Sequence, residues 1–302
     1  MSDLVEIRDL NIRFTGERTV HAVNDLSLVL GEGEVLGLLG ESGSGKSVTL
    51  RALMRLLPKK RTQISGSVQV LGRDVLALDP VYTIGRQIAE SVMRHEGKSQ
   101  TEATARALEM LEVVRIPSAK RRLDAYPHEM SGGMRQRAMI ALALSCNPTV
   151  LLADEPTTAL DVTVQIQILL LLRELQRELG MAVIFVTHDV GVAAEVSDRL
   201  AVMYAGRFVE TGIARDVLRK RAHPYTEGLL AANLHGVEPG SRLMTIPGAP
   251  PNLAALPPGC SFAPRCAYAL PQCLETVPPP VMCGDGHVAH CLRAEERIEL
   301  AA

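Results

Sequence analysis

Eight residues, Gly40 to Ser47, read GESGSGKS and fit the spacing G-x-x-x-x-G-K-[ST] in full. In such a loop Gly40, Glu41, Ser42, Gly43, Ser44 and Gly45 form a cradle. The glycines let backbone N–H groups curl round phosphate oxygens, and the helix after the loop adds partial positive charge at its N-terminus. Lys46 is expected to reach the β- and γ-phosphates of a nucleotide, Ser47 to place its hydroxyl on Mg2+, and Val48 to continue the helix. Further on, the apolar run Val150 to Ala153 ends in Asp154 and Glu155. A carboxylate at the carboxyl end of a buried parallel strand sits where open α/β sheets bind ligands. Asp154 is therefore expected in the Mg2+ shell and Glu155 beside an attacking water, on opposite faces because adjacent strand residues alternate. A third apolar run, MAVIFVTHD, ends in Thr187, His188 and Asp189, and the placing of His188 favours a γ-phosphate contact. Ser131, Gly132 and Gly133 precede a helical run and make a second anion-binding helix start. One nucleotide does not need two cradles from one chain, so the second is expected to serve a nucleotide held by a partner subunit.

These residues need particular elements to hold them. Val35 to Leu39 is a short apolar run of strand type, and Ser47 to Leu57 has helical spacing, which gives the strand–loop–helix context the phosphate motif requires. Up to about residue 235 apolar runs alternate with helical patterns. Beyond it come IPGAPPNLAALPPG and TVPPP, rich in proline and poor in periodicity, so a domain boundary is placed near residue 236.

Composition bounds the reading. The chain has 302 residues, enough for a large domain with an appendage, and 47% apolar content to fill a core. A net charge of −2 with 22% charged residues gives no global electrostatic reason to expect nucleic acid as a partner. MSDLVEIRDL has no apolar signal region, and IQILLLLREL is too short and too broken by charge to span a bilayer. The sequence reads as soluble and cytoplasmic, a compartment in which grouped cysteines more often hold metal than form disulfides.

The combination of GESGSGKS, YPHEMSGGMRQRAMIALAL, the acidic strand end and His188 resembles the ATP-binding-cassette (ABC) ATPases. MSGGMRQ matches the family signature, with Met130 where leucine or another large apolar residue is usual. Ala159-Leu160-Asp161 matches the D-loop, and His188 the switch histidine. Phe14 lies where the family sets an aromatic ring against adenine. YPHEMSGGMRQR, ADEPTTALDVTVQIQIL, HPYTEGLLAA and IPGAPPNLAALPPGCSFAPRC narrow the resemblance to the ATPases of the oligopeptide/dipeptide importer branch, over nearly the whole chain. The resemblance implies an α/β fold: a RecA-like P-loop core led by an antiparallel β region, with an inserted helical subdomain at about 79–135. The nucleotide-binding domain would span 1–235, and a cysteine-containing C-terminal extension 236–302. It further implies ATP and Mg2+ as ligands, and a peripheral place on the cytoplasmic face of the inner membrane. Implied partners are permease subunits, a second related ATPase or a second copy, and indirectly a solute-binding protein. ATP hydrolysis would energise import of peptides or related small solutes. Two other readings stand beside it: a soluble cassette ATPase without a permease, and a nucleotide-binding regulator.

The regulator reading comes from a departure. The family carries a strand ending in phenylalanine-glutamine between the P-loop and the signature, and its glutamine contacts Mg2+ and water. Here SGSVQVLGRDVLALDPVYTIGRQIAESV resembles the family's segments on either side of that strand, joined without the strand itself. Lys46 to Ser131 spans 85 positions, short for this branch. Gln69 lies too early, in a stretch that reads as antiparallel strand, and Gln87 lies in the helix beyond. The departure reads either as a deletion or gene-model error in an ordinary subunit, or as a natural variant with weakened hydrolysis or coupling. Local rearrangement is expected around residues 68 to 90.

Cys260, Cys266, Cys273 and Cys291 have the spacing C-x5-C-x6-C-x17-C. No C-x2-C knuckle of a zinc ribbon is present. Four thiolates on an irregular loop suit zinc or an iron–sulfur cluster, and four unligated thiols are the alternative. The family resemblance favours [4Fe–4S]. Cys283 reads as a spare thiol, Cys146 as a small core residue, and His287 and His290 as alternate ligands.

Overall fold

The computed structural model describes residues 3–70, 78, 80–157, 160–232 and 245–301. The elements in chain order are β1 (Asp3–Phe14), β2 (Val20–Gly31), β3 (Val35–Leu39), α1 (Lys46–Leu53), β4 (Thr62–Val70), α2 (Ile84–Glu96), α3 (Gln100–Val113), α4 (Ala119–Arg122) and α5 (Gly132–Leu144). Next come β5 (Val150–Asp154), α6 (Val162–Leu179), β6 (Ala182–Val186), α7 (Val190–Val196), β7 (Arg199–Tyr204), β8 (Arg207–Ile213), α8 (Ala214–Lys220) and α9 (Pro224–Ala231). The C-terminal part holds α10 (Pro271–Glu275), β9 (Val281–Gly284), β10 (His287–Ala289) and α11 (Ala294–Ala301). The chain forms two compact units, Met1–Val70 with Val183–Ala302, and Leu71–Ala182.

In the first unit β1 pairs antiparallel with β2 on one side and β4 on the other. Val5 and Ile7 face the core, then Leu10 and Ile12 do. An even period cannot carry 7 to 10. The register slips between them, where Asp9 takes a left-handed φ of 49°, so the extra residue is absorbed as a bulge. A second sheet runs β6-β3-β7-β8-β10-β9. β3 is parallel to both β6 and β7, and all five residues of β3 and of β6 are buried, as strands covered on both faces must be. β8, β10 and β9 continue the sheet antiparallel, so the C-terminal hairpin is an edge of the main sheet.

The second unit is mostly helical. Ser99 and Glu102 form a capping box at the start of α3, Ser131 caps α5 and Asp161 caps α6. Among its described residues the only strand is β5, whose Leu151 and Leu152 are half-buried. No strand lies among the described residues between Val70 and Val150. Of the span 68 to 90, residues 71–77 and 79 lie outside those described, residues 68–70 finish β4, and 84–90 begin α2. The boundary expected near residue 236 also falls on residues outside those described. No helix among the described residues is long and apolar enough to cross a membrane.

Candidate functional site: a phosphate loop held from the C-terminal region

The sequence motifs divide between the two units. The first holds Phe14, Gly40 to Val48, His188 and the four grouped cysteines; the second holds Ser131 to Gly133, Asp154, Glu155 and Asp161.

The phosphate loop leaves the carboxyl end of β3. Gly40 has φ 150° and Gly45 φ 110°, conformations open to glycine at little cost. Sterics also demand the absence of a side chain: a Cβ at Gly40 would lie 2.2 Å from the Met203 carbonyl oxygen, and one at Gly45 2.6 Å from that of Ala22. Lys46 opens α1 with its side chain buried along the loop. Its Nζ donates to the carbonyls of Gly40 at 2.8 Å and Glu41 at 2.9 Å, and to Ser44 Oγ at 3.4 Å. The ammonium is thus stationed inside the cradle that its own carbonyls close. Ser47 is half-buried in the first turn of α1, while Ser42 and Gly43 are exposed at the loop's tip.

His188 stands at the same sheet edge. β6 lies beside β3 in parallel register, Leu38 against Val186, and Thr187 N–H donates to the Leu38 carbonyl at 3.2 Å. His188 comes next as an exposed residue in the turn to α7, which Asp189 caps through Val192 N–H. Phe14 is half-buried at the end of β1, paired with Val20 and Thr62. Gln69 lies in β4, paired antiparallel with Glu6, and Gln87 lies in α2 with its amide donating to Tyr82 O.

In the second unit Ser131 Oγ accepts from Met134 N–H at 3.3 Å and Asp161 Oδ1 from Val164 N–H at 2.9 Å, so both are helix caps. A Cβ at Gly133 would meet Val164 Cγ1 at 2.6 Å, so the glycine lets α5 and α6 approach. β5 ends at Asp154, and Glu155 has φ 48°. The strand alternation expected to set Asp154 and Glu155 on opposite faces therefore does not apply. A non-glycine residue in the left-handed region aims Glu155, at a cost that functional sites commonly carry.

Three residues at the loop carried no functional assignment in the sequence. Tyr225, in α9, accepts the Glu41 backbone N–H on its hydroxyl at 2.8 Å. Arg265, between Cys260 and Cys266, makes a two-armed ion pair with the Glu41 carboxylate, at 2.7 and 3.1 Å. Tyr204 accepts from the same guanidinium at 3.3 Å. The Glu41 hydrogen bonds hold the Arg265 pKa above its ordinary value against the effect of burial, and burial raises those of Tyr204 and Tyr225. One signal was legible: an arginine amid apolar and cysteine residues needs an acidic partner if buried. The identity of that partner was not legible.

The four cysteines come together. Cys260 N–H donates to the Cys273 carbonyl at 2.8 Å, and Cys260 and Cys266 pack against the core around Phe262. Burial raises the pKa of Cys260, Cys266 and Cys291, the last to about 11, and the neighbouring thiols add to it. Among the described residues, however, no three His, Cys, Asp or Glu side chains are grouped to hold one metal ion. Cys283, in β9, is buried in a cluster with Ala222, Ala289 and Ala294 against which Cys291 also packs. Cys146 is half-buried against Ala89, Val92 and Ala103. His287 Nε2 lies 2.8 Å from Glu210 Oε1, both side chains fully buried, while its Nδ1 is buried without a hydrogen-bond partner. His290 Nδ1 is engaged with the Pro278 carbonyl.

Comparisons with known proteins agree with this architecture. Residues 23–158 match the family model for ABC transporters, and residues 209–273 the model for the C-terminal region of oligopeptide/dipeptide transporters. A Brucella melitensis protein named as a peptide import ATP-binding protein is 47% identical over 330 aligned positions, covering 97% of this chain and 98% of that one. The oligopeptide transport ATP-binding protein OppD of Salmonella typhimurium is 46% identical, with 98% and 95% covered. An alignment of 330 positions against a chain of 302 residues leaves at least 28 positions of the Brucella protein facing no residue here. Among solved structures, an ATP-binding cassette dimer in a post-hydrolysis state, bound to ADP and Pi, matches with a TM-score of 0.60 at 29% identity, covering 70% of this chain and 99% of that one. The fold is shared with cbiO1 of Clostridium perfringens, at a TM-score of 0.60 and 24% identity, covering 72% and 91%.

Proposed function

Since the chain belongs to the ATP-binding subunits of ABC transporters, in the oligopeptide/dipeptide branch, we propose that it hydrolyses ATP to energise the import of peptides or related small solutes. The observation that carries the reading is the glycine cradle of Gly40 to Gly45 with the Lys46 ammonium inside it, at the carboxyl edge of parallel β3. Gly40 and Gly45 let the loop lie tightly against Ala22 and Met203 with its backbone bare, and a bare backbone loop at a helix start fits phosphate oxygens. On binding, Lys46 exchanges the Gly40 and Glu41 carbonyls for the β- and γ-phosphates, and backbone N–H groups of the loop take the remaining oxygens. Ser47 and Asp154 would hold Mg2+, which neutralises developing charge on the phosphates. Glu155 orients the attacking water and His188 contacts the γ-phosphate. Phosphoryl transfer asks the protein for positioning and charge stabilisation above all. Ser131, Gly132 and Gly133 complete the site of a partner cassette, and Asp161 links the two. Phe14 stacks on adenine. The permease and a second cassette are the working partners, and the chain sits peripherally on the inner membrane's cytoplasmic face. Residues 1–235 form the nucleotide-binding part, with helices at about 79–135, and 236–302 the C-terminal region.

The short Lys46–Ser131 interval bears on rate rather than on class. Without the glutamine that the family carries between the P-loop and the signature, Glu155 orients water alone, so turnover is slow and ATP binding is retained. The test is ATP hydrolysis by the chain assembled with its permease and partner ATPase, beside Glu155→Gln. Turnover that the substitution abolishes is expected; saturable ATP binding without turnover in the parent chain would overturn the hydrolytic role.

For the cysteines we propose an iron–sulfur or zinc centre on Cys260, Cys266, Cys273 and Cys291. Its support is the nearness of four thiols, one buried and three half-buried, across the C-terminal segment, where burial and then the neighbouring thiols raise the pKa of Cys260, Cys266 and Cys291. In a cubane cluster each cysteine ligates a different iron, so the thiols need not converge on one point. Such a centre would displace the thiol protons and pin a segment poor in regular structure.

A further inference from the structure

Glu41 is held at every polar group, and from three separate parts of the fold. Tyr225 of α9 takes its N–H, Lys46 of α1 takes its carbonyl, and Arg265 of the C-terminal segment takes its carboxylate. Arg265 is held as completely. Its five N–H donors meet five acceptor contacts: two to Glu41, one to Tyr204 Oη, and one each to the carbonyls of Pro247, at 2.8 Å, and Ile246, at 3.3 Å. The side chain is only 4% exposed, against 29% for Glu41. Phe262, three residues before it, seats the segment by packing on Tyr204 and Tyr225, with ring centroids 5.2 and 5.4 Å apart.

From this geometry we propose that Arg265 is a positioning residue of the nucleotide site, by which the C-terminal region sets the phosphate loop for ATP. The inference rests on the proposed ATP-binding role. Two effects arise from the same contact. The planar fork fixes both carboxylate oxygens, which a point charge does not, and so fixes the start of the loop between Gly40 and Ser44. It also neutralises an acid placed directly in a loop that must accept a polyanion. Glu41 unpaired would face bound phosphates with like charge in a partly dehydrated site, where charges are screened least. The clamp therefore makes an acidic phosphate loop usable.

The experiment is a double-mutant cycle on the full chain, with the Kd of a fluorescent ATP analogue and the melting temperature read separately. Arg265→Met is expected to raise Kd by about tenfold or more, because it leaves the Glu41 charge unpaired. Glu41→Gln removes that charge, so the double variant Glu41→Gln/Arg265→Met is expected to bind more tightly than Arg265→Met alone. A role confined to packing the C-terminal segment predicts otherwise: a lowered melting temperature with wild-type Kd, or equal losses in both backgrounds. Either of those results overturns the proposal and leaves the ATPase reading standing. If Arg265→Met does not fold, Arg265→Lys keeps the charge without the fork and is expected to bind about threefold more weakly. Wild-type affinity in that variant overturns the proposal. Absence of saturable binding in the parent chain overturns the ATPase reading and this inference together.

Discussion

Acidification from pH 8 to pH 5.5 is expected to destabilise the folded chain by about 1.4 kcal/mol through His223 alone. His223 is 1% exposed and caps α9, its Nδ1 accepting Tyr225 N–H at 3.0 Å. That nitrogen must be unprotonated to accept, so the folded chain needs a neutral ring. Burial, and then the positive neighbours His290 and Arg297, lower its pKa from 6.5 to about 3. Below about pH 6.5 the unfolded chain binds a proton that the folded chain refuses, so stability is full above that value and falls with pH until about 3. The loss grows to about 2.7 kcal/mol at pH 4.5. Urea denaturation at pH 8, 6.5, 5.5 and 4.5 measures it, with His223→Asn as the reference. Asparagine keeps a capping acceptor and does not titrate, so other groups cancel in the difference. Wild type should lose stability relative to the variant by the stated amounts. Parallel curves for the two proteins would refute the reasoning, because they would mean that the buried ring takes up its proton without cost.

Two other outcomes are expected. Glu210→Ala removes the acceptor of Ala222 N–H, His223 N–H and His287 Nε2 in a fully buried place, and three stranded donors correspond to a loss on the order of 3 to 5 kcal/mol in urea denaturation. Cys266→Ser should lower the iron or zinc content of anaerobically purified protein, measured by elemental analysis; unchanged content would remove the metal reading of the four cysteines.

The local chemistry was legible because it is written in neighbouring residues. GESGSGKS after a strand and before a helix stands as read, since glycine spacing, a helix start and an apolar run act over a few residues. Ser131 and Asp161 sit at helix starts for the same reason. The bracketing of β5 by Asp154 was also legible, and the antiparallel setting of Gln69. The turn of Glu155 into a left-handed conformation was not, because alternation along a strand holds only while the strand lasts.

What the sequence by itself determined is the family, the ATP-binding subunits of ABC transporters, and the strand–loop–helix setting of GESGSGKS. The tertiary structure alone decided what holds that loop. Glu41 and Arg265 lie 224 residues apart, and Glu210 and His287 lie 77 apart. Such a pairing leaves no periodic trace, since neither partner shows in its own neighbourhood which distant residue the fold will set against it. The proline-rich C-terminal region has the composition of an appendage. It is an edge of the main sheet and a wall of the loop because β10 found β8 and Phe262 found two tyrosines, pairings that depend on backbone and surface left open by distant segments.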